Sequence, residues 1–358
     1  MPGVQKLKAL VLCAGKGTRL RPLTDTIAKP LIPVANKPIL FYVLDQIKEA
    51  GITQIGLVVS PDNKEQIREV VGNGSRWEAK ISYIVQTEAK GIAHAVLTAE
   101  EFLGDSAFLL FLGDNLLKGS IKPVVDRFFQ NKASALIVLK EVSDPSMFGV
   151  AELDGAGNVL RLVEKPKEPK SNTVLVGVYL FSSLILHAAK QIVPSHRGEF
   201  EITDAIQWLI DHDKTVLSDT VCGWWLDTGK KDDLLTANKV VLEDFVSPCL
   251  LGEIDNDSCV NGMVEIGEGT KIINSRINGP VSIGEDGRIE NSIIGPFASI
   301  GAKTVIENAA IENSVILENC RVTGAGLKDS IIGKHADIKA IAKCSAVLFL
   351  GSYSRIEI

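Results

Sequence analysis

Four copies of one short phrase stand in the last third of the chain: Asn274-Ser-Arg-Ile277, Asn291-Ser-Ile-Ile294, Asn313-Ser-Val-Ile316 and Asp329-Ser-Ile-Ile332. The pairs Ile266-Gly267, Ile283-Gly284 and Ile300-Gly301 recur in step with the first two copies. Aliphatics fall about every six residues, the hexapeptide rhythm of a parallel β-helix. In such a fold each rung stacks its aliphatics inward on the next, and small polar residues make the corners. A β-sandwich would show alternating strands and no repeated phrase. From Cys249 onward aromatics nearly vanish, and a β-helix domain is expected over residues 245–358.

Residues 1–244 follow a different rule. Apolar strand-like runs at Leu7–Cys13, Ile55–Val59, Ile81–Val85, Phe108–Leu112 and Ala135–Leu139 alternate with amphipathic segments. One such segment is Pro38–Ala50, with Asn36 as its expected cap and Gly51 as its stop. Strands alternating with helices predict an α/β domain, a Rossmann-like and mostly parallel sheet covered on both faces. Ligands on such sheets bind beyond the carboxyl ends of the strands. The loop after the first strand and Leu112-Gly113-Asp114-Asn115 both lie there.

Composition narrows the function. A chain of 358 residues exceeds one ordinary core, so two domains are expected. A net charge of −6 gives no broad basic footprint and excludes nucleic acid as a natural partner. The six cysteines lack metal or disulfide spacing, which suits a reducing compartment. The first apolar run is too short for a membrane span and has no cleavage site after it, so a cytoplasmic protein is expected, without membrane partners.

The stretch from Leu10 to Pro33 carries the first chemical signal. A strand breaks into Ala14-Gly15-Lys16-Gly17-Thr18-Arg19, and a further cation, Lys29, follows ahead of Pro30. Small-residue loops with cations offer N–H groups and positive charge to phosphates. The P-loop string is absent, and Leu20 stands where a dinucleotide fingerprint needs its third glycine. Asp114 ends a buried apolar strand and Asp227 follows another in Trp224-Trp225-Leu226-Asp227. Two such carboxylates suit Mg²⁺, which takes oxygen ligands and keeps some water. Each aspartate alone also fits a helix cap or a turn brace, and the phosphate loop tips the reading to the metal. Lys165 follows a hairpin of Val150–Leu153 and Val159–Val163 and by itself reads as a solvated turn, as does Gln86. His94 reads as a packed or surface histidine, and Trp224 and Trp225 as core or sugar-stacking surface.

Taken in order, Gly17-Thr18-Arg19-Leu20, Lys29-Pro30-Leu31, Gly113-Asp114-Asn115, Phe148-Gly149-Val150, Glu164-Lys165-Pro166 and Trp225-Leu226-Asp227-Thr228-Gly229 resemble the sugar-1-phosphate nucleotidyltransferases. Within that family the chain most resembles the long-form glucose-1-phosphate thymidylyltransferases. The resemblance implies transfer of a nucleotidyl group from dTTP to glucose 1-phosphate with Mg²⁺, giving dTDP-glucose and pyrophosphate. It implies catalytic roles for Arg19, Lys29, Asp114, Lys165 and Asp227, with Asp114 and Asp227 holding the metal. Ala14, Gly15, Gly17, Thr18, Arg19, Gln86 and Gly91 would bind the nucleotide. Gly149, Glu164, Lys165, Gly177 and Tyr179 would bind the sugar phosphate. The loop departs from the family pattern, with Cys13-Ala14-Gly15-Lys16 where members more often have Ala-Gly-Gly-Ser. The hexapeptide repeats resemble the left-handed β-helix family, an exception to the usual crossover rule. Other pairs, UTP with glucose 1-phosphate or GTP with mannose 1-phosphate, stay open, as does acetyl transfer in the β-helix, for which His335 is the histidine to test. Apolar rungs that another subunit could cover point to a homo-oligomer.

Overall fold

The computed structural model describes residues 7–358, the side chains of residues 342 and 343 excepted. Packing groups the chain into two compact units. One joins residues up to Gly15 with Leu40–Leu226; the other joins Lys16–Ile39 with Asp227–Ile358.

The first unit is built on a nine-stranded sheet. Its strands are β1 (Lys8–Leu12), β2 (Gln54–Val59), β3 (Lys80–Val85), β4 (Phe108–Leu112), β5 (Ala135–Glu141), β6 (Gly149–Leu153), β7 (Val159–Glu164), β8 (Thr173–Phe181) and β9 (Val216–Thr220). They run in the order β7-β6-β8-β4-β1-β2-β3, with β5 bridging β8 and β9. All five strands expected from the apolar runs are present, and β1 to β4 are mutually parallel neighbours. The other half is mixed: β8 runs against β4 and β5, β6 with β7 forms the expected hairpin, and β9 pairs with β5 in parallel. Strand β8 is buried along nearly its whole length, so it shows no alternation to read from sequence. Three helices matter below: α1 (Ile39–Glu49), α2 (Ile92–Thr98) and α3 (Lys231–Phe245). Helix α1 forms because Ile39, Leu40, Val43, Leu44 and Ile47 recur on one face, and all five are fully buried. Gly51, at a positive φ of 75°, ends it.

The second unit contains the parallel β-helix. Short strands stack into a seven-stranded ladder and an eleven-stranded sheet that covers the remaining faces. The interior is a set of aliphatic stacks, one of them Ile272, Ile289, Ile306, Val322 and Ile338, paired in parallel register from coil to coil. Each fully buried isoleucine contributes roughly 1.5–3 kcal/mol.

The repeated phrase has a structural cause at both of its first residues. Asn274, Asn291, Asn313 and Asp329 sit at corners with φ between 42° and 48°, a left-handed conformation that Asn and Asp tolerate. The next residue, Ser275, Ser292, Ser314 or Ser330, is buried at 0–2% exposure. Its hydroxyl donates within its own corner and accepts from the next coil, as Ser275 Oγ does from the Ser292 N–H at 3.0 Å. The four copies are not one corner repeated. Those at 274 and 291 precede strands of the large sheet, and those at 313 and 329 precede strands of the seven-stranded ladder. A fifth corner, Asn308-Ala309, continues the first column with alanine in the serine position, where its N–H still bonds Ser292 Oγ.

One sequence expectation is corrected here. Asn36 does not cap α1. Pro33–Val34 and Lys37–Pro38 form a tiny antiparallel pair, and Ala35 and Asn36, both at positive φ, make its two-residue turn. An Asn before an apolar helical run reads as a cap only if nothing intervenes, and a short hairpin does.

Candidate active site

In the first unit, the carboxyl ends of β1 and β4 lie side by side. Gly113 N–H donates to the Leu12 carbonyl at 2.9 Å, and a Cβ at Gly113 would stand 2.8 Å from Cys13 Sγ. Glycine is required there by close approach, and it delivers Asp114 to the end of the sheet. Burial pushes the Cys13 thiol well above its ordinary range, and the Asp114 carboxylate adds to the shift. Cys13 is therefore an inert thiol and not a nucleophile. Ala14 and Gly15 follow it, and Asn63 Nδ2 holds the Cys13 carbonyl at 2.8 Å.

Gln86 directly follows β3 and is 6% exposed. Its Nε2 lies 2.9 Å from His94 Nδ1 on α2, so His94 accepts and carries its proton on Nε2. This commits the amide nitrogen and leaves the Gln86 carbonyl oxygen on offer to a ligand. Gly91 opens α2 at φ 97°, where a Cβ would come within 2.5 Å of the Phe200 carbonyl oxygen. His94 is thus packed, as expected from sequence, yet it fixes a neighbour.

Glu164 ends β7 opposite Gly149 in β6, and a Cβ at Gly149 would meet Thr203 Cγ2 at 2.8 Å and Glu164 Oε2 at 3.1 Å. Lys165 follows at φ 42°, its N–H on the Phe148 carbonyl at 2.9 Å and its ammonium 3.9 Å from Glu164. Burial, and then the nearby Glu201 carboxylate, raise the pKa of Glu164. Gly177 lies where the β8–β5 register shifts, at φ 79°, with Asn115 packed against its Cα side and donating to the Val176 carbonyl at 3.1 Å. Tyr179 is 4% exposed and stacks on Phe181, so its ring belongs to the core. Burial raises its pKa, with Glu164 adding, and it stays a neutral phenol.

Sequence reading missed Arg197. Its guanidinium reaches Glu201 at 3.1 Å, Glu199 at 3.0 Å and Glu164 at 3.6 Å, and so joins the Glu164–Lys165 group. The only cue was the charge alternation Arg197, Glu199, Glu201, which reads as a solvated turn. Trp225 packs edge-on to Phe148 at 5.2 Å, and its buried indole N–H has no hydrogen-bond partner among the described residues.

In the second unit, Gly17 stands at φ 61°, and a Cβ there would meet Thr24 Cγ2 at 2.9 Å and Lys29 Cβ at 3.1 Å. Thr18, Arg19 and Leu20 form a single 3₁₀ turn, exposed at Thr18 and Arg19 and fully buried at Leu20. That burial explains the missing third glycine: the position is core, not cradle. Lys29 is 8% exposed and its ammonium lies 3.9 Å from Asp227 Oδ1. A Cβ at Gly229 would stand 2.9 Å from Arg19 Nη2 and 3.1 Å from Asp227 Oδ2. Arg19 and Asp227 therefore meet at Gly229, and Lys29 lies beside the other carboxylate oxygen of Asp227. A buried ammonium and an exposed guanidinium held close together are the kind of fixed cations that a polyanion can meet.

No group of three or more His, Cys, Asp and Glu side chains suited to a metal occurs among the described residues. Mg²⁺ does not need one. One or two carboxylates with water and substrate phosphates suffice, and the aspartates at 114 and 227 are donors of that hard-oxygen kind.

The model of the nucleotidyl transferase family matches residues 8–244, and that of the GMPPB C-terminal domain matches residues 277–357. A glucose-1-phosphate thymidylyltransferase of Streptomyces griseus is 45% identical, over 98% of this chain and 99% of that protein. A UTP–glucose-1-phosphate uridylyltransferase of Haloferax volcanii is 39% identical, over 66% of this chain and 98% of its own. A Bacillus anthracis structure described as a glucose-1-phosphate thymidylyltransferase in complex with sucrose is 34% identical. It superposes with a TM-score of 0.62, covering 65% of this chain and 94% of that one.

Proposed function

Because the chain belongs to the nucleotidyl transferase family, we propose that it joins dTTP and glucose 1-phosphate to give dTDP-glucose and pyrophosphate. The observation that carries the reading is the gathering of Arg19 and Lys29 around Asp227. A sugar phosphate has a second pKa near about 6 and is mostly a dianion at neutral pH, so it attacks without a general base. The attacking phosphate oxygen forms a bond to the α-phosphorus as the bond to the β-phosphate oxygen breaks, and pyrophosphate leaves. Two polyanions must be brought in line against their repulsion, and developing charge must be met by fixed cations. Arg19 and Lys29 neutralise the triphosphate and the departing pyrophosphate, with the Ala14, Gly15, Gly17 and Thr18 backbone against the nucleotide. Asp114 and Asp227 are the residues that would hold Mg²⁺, which when bound supplies further charge neutralisation at the phosphates. The family model runs unbroken over both aspartates, which supports assigning them to one reaction.

On the sugar side, Lys165 and Arg197 grip the phosphate, Glu164 accepts from sugar hydroxyls, and the Trp225 N–H donates to one. Gly149 and Gly177 keep the backbone open, and Tyr179 backs Gly177 from the core. Gln86 offers its oxygen to the N3–H of thymine or uracil, an edge that cytosine lacks, with Gly91 leaving room beside it. That contact does not separate thymine from uracil, and the uridylyltransferase relative makes UTP the second substrate to test. The deciding experiment is pyrophosphate release over a matrix of dTTP, UTP and GTP against glucose and mannose 1-phosphates. Preference for GTP with mannose 1-phosphate would overturn the assignment.

We keep 1–244 as the catalytic domain and 245–358 as the β-helix domain. The six cysteines are all free thiols, which suits the cytoplasm, and no helix among the described residues is long and apolar enough to cross a membrane. The homo-oligomer expected from the β-helix is tested by the mass of the intact protein in solution.

A further inference from the structure

The segment 16–39, which carries Arg19 and Lys29, belongs to the same compact unit as the β-helix. The reason is visible at two anchor points, both within the second unit.

At the first, the turn Ala35-Asn36 lies on the ladder strands Val281–Ile283 and Ala298–Ile300. Asn36 Nδ2 donates to the Ser282 carbonyl, Ser282 Oγ and the Ile300 carbonyl, each at 3.0 Å. Ser282 Oγ in turn donates to Glu265 at 3.1 Å, so its hydroxyl is free in the right sense to accept from Asn36. Asn238 on α3 completes the clamp. Its Oδ1 accepts from the Ala35 N–H at 3.0 Å and from Ser299 Oγ at 2.6 Å, and its Nδ2 donates to the Phe297 carbonyl at 3.3 Å. Asn238 is fully buried, and Ser282 and Ser299 are 1% and 0% exposed. The middle residue of a β-helix rung faces outward, and Glu265, one coil earlier in the same column, is exposed. Ser282 and Ser299 are small and covered because loop and helix lie on them. At the second anchor, Thr26 and Ser352 share a hydrogen bond at 2.7 Å, and a Cβ at Gly351 would meet the Pro22 carbonyl oxygen at 3.1 Å. Lys29 lies between the anchors in the chain, and Arg19 just ahead of the second.

We infer that the β-helix is a working part of the nucleotidyl-transfer site, with Asn36 and Asn238 as positioning residues that hold the Arg19–Lys29 loop in its reactive arrangement. This rests on the roles proposed above for Arg19 and Lys29. Fixed cations act on the transition state without reorganising, so loosening their support lowers turnover more than substrate binding.

The test is steady-state kinetics on the full chain at a temperature well below each variant's Tm. Asn36→Gly keeps a residue suited to positive φ and removes only the amide. It is expected to lower kcat by about ten- to a hundred-fold with both KM values changed by less than about three-fold, since small misplacements of catalytic groups cost rates of that order. Asn36→Asp keeps the turn and replaces the donor nitrogen by oxygen, and should fall equally. Ser352→Ala, at the exposed anchor, should give a smaller drop of the same kind. Asn36→Gly and Asn36→Asp with wild-type kcat, alongside an inactive Arg19→Ala, would overturn the inference while leaving the function intact. An Arg19→Ala protein with near-normal turnover would instead remove the role on which it rests.

Discussion

The molecule holds charge in two contrasting ways. Around Asp227 two cations, Arg19 and Lys29, are brought together. Around Arg197 three carboxylates, Glu164, Glu199 and Glu201, face two cations, the second being Lys165. The first group gathers an exposed guanidinium and a buried ammonium on one short segment, and suits a triphosphate. The second has acceptors to spare and suits a ligand rich in hydroxyls with a single phosphate, where carboxylates orient and cations anchor. Their supports differ as well. The Arg197 group stands on strand ends and a short turn of the α/β unit, whereas the Arg19 group rides on a segment tied to a β-helix. On the proposed roles, the first group would grip the nucleotide and the second the sugar phosphate.

The sharpest way to break this contrast is to remove charge from the first group. Arg19→Ala and Asp227→Ala should each lower the rate of pyrophosphate release at least about 100-fold, the scale lost when a fixed transition-state contact is deleted. Turnover close to wild type in either variant would end the assigned role. Lys165→Ala should raise the KM for the sugar phosphate by about ten- to a hundred-fold, as a charge-assisted hydrogen bond of roughly 1.5–3 kcal/mol is lost. The KM for the triphosphate should stay nearly constant; equal effects on both would show that the two groups are not separate grips.

Acidification sharpens the same point. Because burial and Glu201 raise its pKa, Glu164 takes up a proton at higher pH than an ordinary glutamate. As pH falls through that raised value the sugar grip loses an acceptor, so kcat/KM for the sugar phosphate should decline before that for the triphosphate. In Glu164→Gln the level should be lower throughout and this limb absent, leaving only the decline from the substrate's own ionisation. An unchanged limb in the variant would assign it elsewhere.

How much of this was legible depended on whether a residue's partner lay near it in sequence. The β-helix announced itself because its corner chemistry, a left-handed Asn followed by a buried Ser, repeats along the chain. Even so, Asn308-Ala309 escaped notice because its serine is missing, although the corner is there. Arg19, Lys29, Asp114 and Asp227 stood out as charges next to apolar strands or small-residue loops. Arg197 did not, since its partners Glu164 and Glu201 make it a network member only in three dimensions. Asn36 was misread for a related reason: its partners, Ser282 and Ile300, are remote in the chain, and local rules offered a helix cap instead. Strand β8 was hidden by burial on both faces, which erases the alternation that marks a strand.

The smallest expected effect separates the β-helix as a fold from the β-helix as a support. Ser292→Ala removes a buried hydroxyl that donates to the Glu290 carbonyl at 2.6 Å and accepts from the Ala309 N–H at 3.1 Å. The buried N–H left without its acceptor should lower stability by about 1–3 kcal/mol. The neighbouring coil already tolerates alanine at the equivalent corner, which argues for the lower end of that range. Ser292 touches neither anchor of the 16–39 segment, so kcat measured well below the Tm should stay at the wild-type value. Denaturant titration gives the stability change and steady-state assay the rate. If Ser292→Ala lowered kcat as much as Asn36→Gly, any loosening of the β-helix would reach the active loop, and the specific clamp would lose its distinction from general stability.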